Sequence, residues 1–111
     1  MTLPALVAAT GFETICATGA DDTHVNAAYT SDLLSDVVAH CPEDSILITV
    51  QNHKNTVAVA TLVGAVAILV CHGRDIPPDM HEAAANEHVA LLRTPLSQFA
   101  ASCAVNQSLR P

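Results

Sequence analysis

The sequence predicts an α/β fold: a single small domain, residues 1–111, with a mainly parallel sheet of about five strands and helices on both faces. Three observations predict it. From residue 45 onward, strand-like and helix-like segments alternate. Two of the strand-like segments, Ser45–Val50 and Ala65–Cys71, are almost continuously apolar, the pattern of strands covered on both faces. The segments are also separated by cap and stop residues at the right places. Alternation of covered strands with helices implies right-handed crossovers and strands running the same way.

The elements follow in order. Thr2 caps a short helix that carries Pro4 in its first turn, shares Leu3, Leu6 and Val7 on one face, and stops at Gly11. Phe12–Ala17 forms a strand, residues 19–23 an acidic turn, and Val25–Tyr29 a second strand. Ser31 caps the next helix, with Asp32 in its first turn and Leu33, Leu34, Val37 and Val38 as its apolar stripe. His40-Cys41-Pro42 ends it, and Ser45–Val50 is the third strand. A polar loop, Gln51–Asn55, leads into an Ala/Val-rich helix that ends at Val63 before Gly64. Ala65–Cys71 is the fourth strand, and His72–Ile76 is another polar loop. Pro77-Pro78-Asp79 opens a helix in which Asp79 and Glu82 have capping-box spacing. Val89–Leu92 is a short fifth strand. Thr94-Pro95 then starts the last helix, with Leu96, Phe99, Ala100, Cys103 and Ala104 at amphipathic spacing. The ordered core is expected over about residues 2–106, with Gln107–Pro111 frayed.

Composition narrows the function. Half of the residues are apolar and 14% are charged, which excludes a disordered chain. Lys and Arg total 4 against 11 Asp and Glu, a net charge of −7, which disfavours nucleic acid as a partner. Phe12, Tyr29 and Phe99 are the only aromatics, too few for a base-stacking platform. Four widely spaced cysteines, Cys16, Cys41, Cys71 and Cys103, lack any CxxC pairing, and the N-terminus lacks a basic signal region. They are expected to be reduced, buried and in a cytoplasmic protein. The uncharged run Thr56–Cys71 is shorter than the ~18–20 residues of a membrane span and is broken by Gly64, so no membrane partner is expected.

Chemistry is expected at the carboxyl ends of the strands, where open parallel sheets bind ligands. The candidate rim comprises Tyr29, Ser31, Asp32, Gln51, Asn52, His53, Asn55, Gly73, Arg74 and Thr94. Helix N-termini at Ser31, Asn55 and Thr94 would aim free N–H groups at it. Lys54, Arg74 and Arg93, three of the four cations, fall on the same rim, which suits an anionic ligand. Helix caps and solvated loops would produce the same polar clustering. No GxSxG, Walker A, GxGxxG or HExxH motif occurs, so no catalytic residue, metal or cofactor is assigned. The helix Thr56–Val63 has few polar positions, so it either fills the core or packs on a partner.

Four blocks resemble the DRTGG domain family: Tyr29–Val37 (YTSDLLSDV), Ile48–Ala60 (ITVQNHKNTVAVA), Ala67–Arg74 (AILVCHGR) and Leu91–Ser97 (LLRTPLS). The namesake motif is altered. Asp22 is kept, but Ala27 and Ala28 stand where the family has a glycine pair. The resemblance implies a small stand-alone domain similar in fold to the N-terminal domain of HPr kinase/phosphorylase. It also implies a regulatory, ligand-sensing or oligomer-forming role beside the catalytic domains of other proteins. The expected function is a non-catalytic regulatory or small-ligand module, acting in cis or trans on a metabolic or redox enzyme. Its expected partners are a second copy of itself, as a homodimer or higher homo-oligomer, and a nucleotide or other anionic small molecule. One alternative is an accessory protein of an iron-only hydrogenase or electron-transfer system. Another is a hydrolase or phosphotransferase using Asp32, His53 and Arg74.

Overall fold

A computed structural model describes residues 1–110 and shows five strands in one sheet with helices on both faces. The elements are α1 (Leu3–Thr10), β1 (Glu13–Cys16), β2 (Ala27–Thr30), α2 (Leu34–His40), β3 (Ser45–Thr49), α3 (Lys54–Val63), β4 (Ala67–Val70), α4 (Pro78–Glu87), β5 (Ala90–Arg93) and α5 (Gln98–Leu109). The strand order is β1-β5-β4-β3-β2. From β2 to β5 the strands are parallel, each paired with the next in sequence. β1 runs antiparallel on the outer edge of β5, with Glu13 opposite Arg93. No crossover helix joins β1 to β2, so the sequence pattern leaves the direction of β1 open, and the antiparallel edge is new information.

Alternation along the central strands divides the core into two layers. Ile46, Ile48, Ala67, Leu69, Ala90 and Leu92 face α1 and α5. Leu47, Ile68, Val70 and Leu91 face α2, α3 and α4, meeting Val37, Val57, Ala60, Met80 and Ala84. β3 and β4 are buried at every position, as expected of strands covered on both sides. The three crossovers from β2 to β5 all use one face. The chain after β5 instead passes to the other face as α5.

Several local signals act as expected. Thr2 Oγ1 accepts a hydrogen bond from Ala5 N at 3.2 Å, and Gly11 ends α1. Gly64 ends α3 with φ +78°, and its N–H reaches Ala60 and Thr61 carbonyls. α3 buries only part of its apolar surface: Thr56, Val57 and Ala60 are buried, while Leu62 is 71% exposed.

Other expectations are corrected. Ser31 does not cap α2. The helix begins at Leu34, and its N-cap, Leu33, makes no side-chain cap bond. Of the expected stripe only Val37 is buried, while Leu33 is 65% exposed. Asp79 lies inside the first turn of α4, after the uncapped Pro77, so it makes no capping box. Thr94-Pro95 does not start the last helix either. Ser97 caps α5, accepting from Ala100 N at 3.1 Å. The helix buries Ala101 and Val105, and the larger stripe of Leu96, Phe99 and Cys103 faces outward, with Phe99 81% exposed. Slim side chains let the helix approach the sheet closely, which the larger residues would prevent. α5 continues to Leu109, so residues 107–109 are helical, and Pro111 lies outside the described residues. All four cysteines are free, but only Cys71 is buried. Among the described residues no helix is long and apolar enough to cross a membrane.

The α3–β4 turn tests the reading of its glycine. An alanine Cβ at Gly64 would sit in the left-handed region and lie 3.3 Å from Glu43 Cγ. Gly64→Ala is expected to lower unfolding free energy in urea by about 1–2 kcal/mol without changing the slope. An unchanged midpoint would show that the turn tolerates a side chain.

Candidate functional site

The carboxyl ends of β2, β3, β4 and β5 lie on one edge of the sheet, because the strands are parallel and in register. The loops that follow them therefore meet there, and hydrogen bonds tie most of them together. Asp32 is the central acceptor. Its Oδ1 takes hydrogen bonds from Thr49 Oγ1 at 2.9 Å, Val50 N at 2.9 Å and Gln98 Nε2 at 3.0 Å. One carboxylate thus joins the loop after β2, the end of β3 and the start of α5. Gln51 Nε2 donates back to the Asp32 carbonyl at 2.8 Å.

The other loops are fastened in the same way. Asn52 Nδ2 donates to the Asp75 carbonyl at 2.9 Å, and Arg74 Nη1 donates to the Val50 carbonyl at 2.7 Å. Gly73, at φ +60°, donates its N–H to the Thr94 carbonyl at 2.8 Å, and His72 N donates to the Leu96 carbonyl. Thr94 is buried, and its hydroxyl accepts from Leu96 N. Ser31 Oγ accepts from Leu33 N in a local turn. Six of the ten candidate residues, Asp32, Gln51, Asn52, Gly73, Arg74 and Thr94, therefore brace the rim itself.

Tyr29 lies elsewhere. Its side chain packs among α2-side residues, and its hydroxyl donates to Asp36 Oδ2 at 2.7 Å. That bond holds the Asp36 carboxyl below its ordinary value and, with it, raises the Tyr29 phenol above its own. Burial, then the nearby Asp32 charge, pushes the Cys71 thiol up to about 11, so it stays protonated and unreactive near neutrality.

What remains open is a cleft of about 330 Å³ bordered by Asn52, His53, Lys54, Asn55, Pro77 and Asp79. It lies between the N-termini of α3 and α4. Neither end has a side-chain cap, since His53 and Pro77 make no cap bond. Both helices therefore present orphan N–H groups and the positive ends of their dipoles near it. Lys54 makes no hydrogen bond or ion pair among the described residues, whereas Asp79 places one carboxylate on the same border.

A second cleft of about 460 Å³ opens where the β4 and β5 loops part toward opposite faces, bordered by Gly11, Glu13, Gly73, Asp75, Arg93, Thr94 and Pro95. Its cation is already engaged, because Arg93 Nη2 lies 2.8 Å from Glu13 Oε1. Of the rim cations named from sequence, only Lys54 is left without a partner among the described residues. Glu13, Pro77, Asp79 and Gln98 join the rim unannounced. Glu13 arrives through the antiparallel edge strand, and Gln98 through a helix that starts later than expected. Asp32, His53 and Arg74 form no mutually bonded set, and no group of three metal-ligating side chains occurs among the described residues.

Two measurements test these bonds. Asp32→Ala strands the buried Thr49 hydroxyl and the Val50 N–H, so it is expected to cost about 1–3 kcal/mol in chemical denaturation. A loss near zero would mean that water replaces the carboxylate. Tyr29 is the only tyrosine. Its phenolate absorbance should therefore titrate above the ordinary value of about 10, and Asp36→Asn should bring the midpoint back. Because the phenol is raised, its bond stabilises the fold below its unfolded pKa, and that stabilisation is lost as pH rises through the folded value. Because Asp36 is lowered, its share is present above the unfolded carboxyl pKa and is lost as pH falls through the folded one. A Tyr29 midpoint unmoved by Asp36→Asn would remove the coupling.

No protein-family model and no curated protein matches the chain. Among solved structures, the fold is similar to the CBS and DRTGG domains of the regulatory region of Clostridium perfringens pyrophosphatase, crystallised with the activator diadenosine tetraphosphate. The TM-score is 0.75 at 16% identity, over 97% of this chain and 47% of that one. This chain thus spans about half the length of that structure's chain, and the likeness supports the DRTGG-like fold that the four sequence blocks imply.

Proposed function

We propose that the chain is a non-catalytic regulatory module that binds a small anionic ligand, a nucleotide or another phosphate-bearing molecule. In this reading it acts as a homodimer or higher homo-oligomer, in cis or trans, on a metabolic or redox enzyme. The observation that carries the ligand reading is the cleft at Asn52–Asn55. Two uncapped helix N-termini and a Lys54 with no partner among the described residues meet there on a protein of net charge −7. Orphan N–H groups and aligned peptide dipoles favour an anion at such a place. The bonds of Asp32, Gln51, Asn52 and Arg74 hold the surrounding loops, so the cleft is preformed. The neighbouring pyrophosphatase region, which binds a dinucleotide activator, is consistent with a regulatory ligand site on this fold. A catalytic reading draws no support from these residues. Asp32 and Arg74 are committed to bracing the loops, and His53 has no bonded partner acid.

The test is a thermal-shift screen with nucleotides, dinucleoside polyphosphates and inorganic phosphate. A ligand at 100 times its Kd should add about 2.7 kcal/mol of stability. Lys54→Ala should weaken binding, and Asp79→Asn should strengthen it, each by roughly 2–10-fold. No shift with any phosphate compound, or binding indifferent to both substitutions, would remove this site.

A further inference from the structure

The two helix layers differ in width. Three helices, α2, α3 and α4, cover one face of the sheet, and α4 reaches the edge strand β1, where His81 Nε2 lies 3.2 Å from the Ile15 carbonyl. The other face has only α5 and α1. α5 packs on β2 and β3, with Ser102 Oγ 2.8 Å from Thr30 Oγ1, and α1 packs beside α5. Neighbouring helices sit ~8–10 Å apart and neighbouring strands ~4.8 Å apart, so α1 falls about two strands further along, over β4 and β5. Among the described residues no helix is left to cover β1 on this face. A cleft of about 380 Å³ opens there. Ala90 and Leu92 of β5, both buried, form its floor. Val7 and Ala8 border it from α1, and Thr14 and Ala17 from the β1 side. Ala8, Ala17 and Ala90 leave space that longer side chains would fill. Residues 18–20 make the rim and are bonded within their own loop: Thr18 Oγ1 lies 3.1 Å from Thr23 Oγ1 and accepts from Ala20 N at 3.1 Å.

Size and charge together select the occupant. One turn of an α-helix, ~10 Å across and ~5.4 Å long, already takes up more than this volume, so a helix of another protein does not seat in the cleft. Small-molecule sites have this size, roughly 300–1,000 Å³, with mostly apolar walls and a few polar groups. Here the polar groups are the hydroxyls of Thr14 and Thr18 and one charged side chain, Asp21. None of the four cations, Lys54, Arg74, Arg93 and Arg110, borders the cleft. An anion therefore meets no counter-charge in it. A cation meets the Asp21 carboxylate and the field of a protein of net charge −7. We infer that this cleft is a second ligand site, for a small apolar molecule bearing one protonated amine, its apolar body on Ala90 and Leu92 and its amine at the Asp21 carboxylate. The site does not depend on the cleft at Asn52–Asn55, which lies in the other layer and favours the opposite charge.

Three probes that share a naphthalene ring and differ in charge test it by fluorescence titration: naphthylmethylamine, naphthylmethanol and naphthylacetate. The chain has no tryptophan to overlap their emission. Wild type is expected to bind the amine with a Kd below about 1 mM. The amine should bind roughly 2–5-fold tighter than the alcohol, and the acetate weakest. Asp21→Asn should erase the amine's advantage and leave the alcohol unchanged. Ala8→Phe and Ala17→Leu fill the cleft from two sides at exposed positions, so circular dichroism should stay that of the wild type. Each should weaken both the amine and the alcohol by about 10-fold or more. Lys54→Ala should change none of these values. No binding by any probe, a preference for the acetate, or binding that survives both filling substitutions would overturn the site. Amine binding lost with Lys54→Ala would put the probe in the other cleft and overturn it as well. An amine advantage that survives Asp21→Asn would overturn the pairing with Asp21.

Discussion

The structure depends on four parallel strands laid side by side in sequence order, β2 to β5, with every connection between them crossing on one face. That arrangement forces the strand ends, and so the polar loops, to one edge. It also commits α2, α3 and α4 to the same layer. The other layer is left to α1 and α5, the two helices that do not connect parallel strands. A right-handed crossover is the only common way to join parallel neighbours. Given the direction of β2, the placement of the cleft and of α5 follows with little further freedom.

The crowded edge explains why most of its polar residues are structural. Loops that converge at strand ends carry main-chain groups that the sheet no longer pairs, and each needs a partner. Asp32 supplies an acceptor for three donors. Gln51, Asn52 and Arg74 donate to carbonyls of neighbouring loops. A polar rim therefore reflects two demands, bracing and binding, which use the same residue types. They separate only when partners are counted. Asn55 and Lys54 line the cleft without side-chain partners among the described residues. Asn52, on the same border, is instead bonded to the Asp75 carbonyl.

This is also the division between what the residues announced and what they did not. Ser45–Val50 and Ala65–Cys71 showed covered strands directly, because burial on both faces leaves no polar position to misread. Gly11 and Gly64 marked helix ends through their left-handed geometry. The starts of α2 and α5 were misplaced because Ser31 and Thr94 are good capping residues used for other turns, each accepting from the N–H two residues on. The two strands that pair least extensively, β1 and β2, were legible as strands. Their opposite senses were not, since direction depends on the long connection between them. Hence the Arg93–Glu13 pair, which occupies a rim cation, could not be anticipated.

The stripe on α5 shows why periodicity alone is ambiguous. Leu96, Phe99 and Cys103 recur at helical spacing, and that pattern identifies a helix with an apolar face. It does not say what the face covers. The sheet beneath α5 is close, and the Thr30–Ser102 bond requires a short approach, so alanine and valine fill the interval. The larger residues must then turn away. A helix whose bulky side is outward loses the stabilisation of burying it, about 25 cal/mol for each Å² of apolar surface left in water. A sequence under that cost would be expected to place polar residues there unless another surface covers them.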